Sequence, residues 1–166
     1  MAVRVCSLIR SINQTIPADG SYHLVRFPFG SEGPESYDAW GMHDACQPDD
    51  YAVTDWDTDD RSGLIWPSMD GWGDLTAMVY WAPGGYNETR DRFVRDPLNL
   101  STGYDSTATE DEAPTPGGQY KHKCHGIFVH PGTPVGFMVR VAGSQPVDIT
   151  HAQFKLAIHP VESPPA

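Results

Sequence analysis

The chain has 166 residues, enough for one domain with a sizeable core, and its 39% hydrophobic content excludes a wholly disordered polymer. A formal charge of −11 excludes a reader of phosphate backbones, which needs a positive footprint. No apolar run reaches the ~18 residues that cross a bilayer, so neither nucleic acid nor membrane is an expected partner.

The acidic balance suits a protein kept soluble at high local copy number, or one that meets a basic partner. Glycine (16) and proline (15) lie scattered between short apolar runs, as in a chain of many strands and turns. Cys6, Cys46 and Cys124 are odd in number and far apart, which argues for reduced thiols and a reducing cytoplasm rather than a disulfide framework. Residues 1–10 carry Arg4 and Arg10 within the apolar pattern and no small-residue cleavage site, so a secretory signal is not expected.

In chain order, residues 3–12 read as a first strand, closed by turn chemistry at Pro17 and Gly20. Residues 21–29 alternate, with Tyr22, Leu24 and Arg26 on one face and His23, Val25 and Phe27 on the other. From 31 to 62 the pattern dissolves into a long surface excursion, with seven aspartates between Asp44 and Asp60, Arg61 as their local counter-charge and a short strand near 51–53. Strands are expected at 63–66, 75–81 and 86–94. A second polar excursion at 96–118 is too rich in acid and proline to be core. The last third predicts three strands, at 123–130, 135–141 and 147–158. In the final one Thr150, Ala152, Phe154, Leu156 and Ile158 face one way, and Ile149, His151, Gln153 and Lys155 the other. No window supports an amphipathic helix. The layout is one all-β domain over 1–160, a sandwich or barrel of about eight strands, with a tail at 161–166.

Tests for chemistry return little. Asp55, Asp57 and Asp59 alternate as in a calcium loop, but Asp60 and Trp66 stand where an EF-hand needs glycine and glutamate. These three carboxylates remain candidates for a bound calcium ion of another type; otherwise the acidic run is a solvated loop or a contact for a neighbour's arginines. His122, Cys124 and His125 suggest zinc, yet on a strand His125 points away from the other two, so structural histidines are expected. There is no nucleophile elbow, no phosphate-cradling loop and nothing to select a catalytic pair of acids. No catalytic residue is assigned and no enzyme is expected. All five tryptophans fall between 40 and 81. Trp66 and Trp81 suit burial in strands. Trp40, Trp56 and Trp72 lie in loop-like sequence, and with Tyr37 and Arg61 they are the candidate interface or recognition residues. A sugar-stacking surface is the alternative use of the same indoles.

The C-terminal third carries a resemblance. Residues 126–140 (GIFVHPGTPVGFMVR) and 149–158 (ITHAQFKLAI) resemble the closing strands of C1q/TNF-like jelly rolls. Residues 16–22 (IPADGSY) and the stretch 27–37 resemble small virion proteins of tailed phages of actinobacteria, often called minor tail proteins. The resemblance implies a ten-strand C1q/TNF-like jelly-roll sandwich with long acidic loops, forming a homotrimer on a virion. Collagen stalk, signal peptide and paired cysteines of secreted C1q members are not seen, which turns the expectation away from complement- or cytokine-like roles. The expected function is a non-enzymatic virion structural protein, made in the host cytoplasm, tail-associated and receptor-facing. A head decoration protein on the capsid is the near alternative, and a lectin-like domain binding a host surface glycan is the alternative of another class.

Overall fold

Alternation of apolar and polar residues sets the frame, because successive side chains of a strand point to opposite faces. In the computed structural model, residues 2–30, 36–113 and 115–162 are described; residues 31–35 of the first excursion, Pro114 of the second and 163–166 of the tail lie outside them. The strands are β1 (Arg4–Arg10), β2 (Gln14–Ile16), β3 (His23–Leu24), β4 (Leu64–Ile65), β5 (Gly71–Trp81), β6 (Glu88–Arg95), β7 (Asp105–Glu112), β8 (Gln119–Val129), β9 (Val135–Ala142) and β10 (Val147–His159). Helix among the described residues is limited to the 3-10 turn Asp60–Gly63.

The strands form two antiparallel five-stranded sheets. In sheet I the order is β1-β10-β5-β8, with β2 also pairing β10; in sheet II it is β3-β9-β6-β7, with β4 also pairing β9. The two inner faces make one core, as in a jelly-roll sandwich. Its centre is a group of phenylalanines: Phe93 lies 5.7 Å from Phe137 and 6.0 Å from Phe154, and Phe27 lies 6.3 Å from Phe154, centroid to centroid. Each such pair adds about 1 kcal/mol beyond its buried area. Trp66 and Trp81 are buried as expected.

Three expectations are corrected. The alternation of β10 is broken by a register shift between Ile149 and His151, so Ile149 is buried in the core rather than turned outward. Within 21–29 only His23–Leu24 is ladder-paired strand. The Gln14 side chain stands in for a ladder partner, its Nε2 donating to Leu24 O (2.8 Å) and its Oε1 accepting from Arg26 N (3.0 Å). Leu24 then joins Leu64, Trp66, Val94 and Met138 in a second apolar cluster, while Val25 and Phe27 enter the main core.

The third correction is β7, an edge strand inside the supposed loop 96–118. Its sequence, DSTATEDE, has almost nothing apolar to bury, and charge holds it instead. Lys123 of β8 is almost fully buried, with Nζ 2.9 Å from both Asp91 of β6 and Glu110 of β7. Lys121 pairs with Glu112 at 3.3 Å, and the Thr107 hydroxyl meets His125 Nε2 at 3.0 Å. These contacts close one flank of the sandwich.

Candidate assembly face and the acidic excursion

The acidic excursion is folded back on the sandwich by polar bonds. Tyr37 pairs with Ser7 at the free edge of β1, its N–H donating at 2.9 Å and its carbonyl accepting at 2.7 Å. Both carboxylate oxygens of Asp38 take a backbone N–H, from Met42 (2.9 Å) and His43 (2.7 Å). The buried His43 stacks on Phe29 at 4.4 Å, and its Nε2 donates to Ser62 O at 2.7 Å. Burial pulls its pKa down to about 4. The expected strand near 51–53 is a single bridge, Cys46 to Ala52, around a turn with Asp50 at φ 64°.

The aspartates face the chain's own arginines. Arg10 of β1, its side chain fully buried, donates to Asp57 Oδ1 at 2.7 Å and to the carbonyls of Ile12 and Asn13. Arg26 bonds Asp60 through Nε (2.9 Å) and the Asp57 carbonyl through a terminal nitrogen (2.9 Å). Arg61 holds Asp49 at 2.6 Å and lies 4.2 Å over the Tyr51 ring, whose hydroxyl donates to Asp59 at 2.9 Å. Asp55 accepts from Asp57 N at 3.1 Å. The candidate calcium ligands Asp55, Asp57 and Asp59 thus serve a turn, an ion pair and a phenol. Among the described residues no group of three or more His, Cys, Asp or Glu is gathered to hold a metal ion. Arg10 and Arg26 were invisible as partners because they lie more than thirty positions away.

The tryptophans occupy three settings rather than one. Trp40, at the β1 edge near Tyr37, lies under the Arg4 guanidinium at 4.6 Å. Trp56 lies 5.0 Å from that of Arg10. Trp72 is not in a loop: it lies on β5, pointing outward from sheet I, with its indole over Gly126.

Outward alternation on β5 and β8 aligns Trp72 with Phe128, Thr76 with Cys124, Met78 with His122 and Tyr80 with Tyr120. Trp72, Tyr120 and Phe128 are 46%, 66% and 37% exposed, and the Tyr80 and Tyr120 rings stand 4.6 Å apart. His159 of β10 pairs with Asp74 at 3.0 Å on the same face, and His130 with Asp70 at 2.7 Å near its end. This face was missed in the sequence, although the period-two spacing of Tyr120, His122, Cys124 and Phe128 is its signal. The strand expected from 123 begins at Gln119, which brings Tyr120 onto this face.

The two-sheet order and the strand lengths define a C1q/TNF-like jelly roll. The globular domain of zebrafish complement 1qA protein is similar at 10% identity and a TM-score of 0.58, over 92% of this chain and 94% of that one. Murine APRIL is similar at 10% identity and a TM-score of 0.54, over 95% of this chain and 100% of that one. At such identities the likeness is one of fold. No protein-family model matches the sequence, and no curated protein matches it.

Proposed function

We propose that this chain is a non-catalytic building block that self-associates as a homotrimer and serves as a virion structural protein of a tailed phage, tail-associated and receptor-facing. The observation that carries the assembly reading is the outer face of sheet I. Trp72 and Phe128 at one end and Met78, Tyr80 and Tyr120 at the other form an apolar strip on paired strands, interrupted by the Asp74–Gly126 and Thr76–Cys124 rows, with large rings left in solvent. Rings standing open on a rigid sheet lose little side-chain entropy on docking, and copies of the same surface supply matching apolar partners. The virion setting is supported by the phage-like sequence stretches at 16–22 and 27–37.

Light scattering at micromolar concentration is expected to give three times the mass of the chain. Replacing both Trp72 and Tyr120 with glutamate is expected to give a folded monomer. A wild-type monomer would overturn the assembly reading. Labelled antibody on purified particles separates tail from head: signal on the capsid favours the decoration alternative, and particles without signal remove the virion reading.

A further inference from the structure

We propose that His122 and Cys124 form a two-ligand site for a borderline-soft divalent cation of the Zn²⁺ class. Both lie on the outer face of β8, two residues apart, and Nε2 of His122 stands 3.6 Å from Sγ of Cys124. With Zn–N of about 2.0–2.1 Å and Zn–S of about 2.3 Å, two ligands at a tetrahedral angle stand about 3.6 Å apart, so the pair already spans one edge of such a shell. The thiol is free and exposed. Its nearest side chain across the sheet is the Thr76 hydroxyl, whose oxygen is 4.0 Å from Sγ.

Space for an ion and its other ligands lies beside the thiol. A depression of about 350 Å³ is lined by Asp74, Leu75, Thr76, Cys124, His125 and Gly126. The His125 ring, third member of the sequence cluster, is exposed and bonds the Thr107 hydroxyl through Nε2, so it takes no part. Binding releases the thiol proton to solvent, leaves the thiolate on the metal and needs no redox partner. The two open positions take water in the isolated chain. If the face is the assembly interface, as proposed above, a neighbouring copy can fill them and the ion becomes a fastener; that last step alone rests on the assembly reading.

Cobalt(II) is the probe, added to the full chain with the cysteines reduced. The expected result is one equivalent per chain with a thiolate-to-cobalt charge-transfer band, displaced by Zn²⁺. Both Cys124→Ser and His122→Gln should abolish the band, whereas Cys46→Ser, at the other exposed thiol, should keep it. Circular dichroism of each variant checks that the sheet is intact, which is expected for exposed side chains. No band in the wild type, or a band that survives Cys124→Ser, would overturn the site and leave a thiol–imidazole hydrogen bond only. Light scattering in parallel keeps the two ideas apart. A trimer without the band sinks the site and leaves the assembly; a band on a monomer supports the site and sinks the assembly.

Discussion

His43 ties the acidic excursion to the sandwich as a neutral ring, since it is stacked and buried and, among the described residues, no carboxylate is ion-paired with it. Its pKa falls from 6.5 to about 4 on folding, chiefly through burial, so between those values the unfolded chain binds more protons than the folded one. Its contribution is therefore full above pH 6.5 and is lost as pH falls toward 4, by up to about 3 kcal/mol. Urea denaturation at pH 7 and pH 4.5 should show this drop in the wild type, and a much smaller one in His43→Gln. Asp96 is a second local organiser. Its carboxylate accepts from the N–H groups of Leu100 (2.7 Å), Ser101 (2.8 Å) and Gly103 (2.8 Å), holding the turn beside the cluster of Leu24 and Trp66. Removing the acceptor in Asp96→Ala strands three donors, at a cost of about 3 kcal/mol in a denaturant titration.

At the scale of the strand, β7 is the element whose stability is electrostatic. Lys123→Met leaves Asp91 buried without its cation and should cost about 3–5 kcal/mol by chemical denaturation. Adding Asp91→Asn to that variant should recover part of the loss, because the stranded charge goes with it. The same strand shows why the sequence was only partly readable. The strands β9 and β10 announce themselves because one face of each is apolar, and the all-β architecture follows from them. Acid-rich β7 has no such face, and its reason for being a strand lies in Lys121 and Lys123 of another strand. Glycines hid the start of β5 in a similar way: the run at 68–73 reads as a turn, yet it contains the first residues of the strand. A Cβ at Gly71 would stand 2.4 Å from the carbonyl oxygen of His159, so the two strands approach that closely only without a side chain there. The candidate residues fared by the same rule. Tyr37, Trp40 and Trp72 were recognisable as surface aromatics from composition, but the pairing of Trp72 with Phe128 and of Tyr80 with Tyr120 depends on register.

At the scale of the molecule, a net charge of −11 means that copies brought together repel one another. Added salt should therefore strengthen self-association if it occurs through the apolar strip, with the apparent dissociation constant falling between 50 and 500 mM salt in sedimentation runs (about, respectively, a Debye length of 14 and 4 Å). A contact built on ion pairs would weaken over that range. The placement of β10 bears on how the molecule comes into being. The last strand in the sequence lies in the interior of sheet I, between β1 and β5, and pairs residue for residue with the first. During synthesis β1 and β5 emerge with an open slot between them, and no local pairing can fill it. The sandwich can close only after residue 159 has cleared the ribosome, and its long-range pairings make folding a matter of milliseconds to seconds rather than microseconds. Until then the apolar edges stand unprotected, so stalled or shortened chains should be retained by chaperones or lost to aggregation.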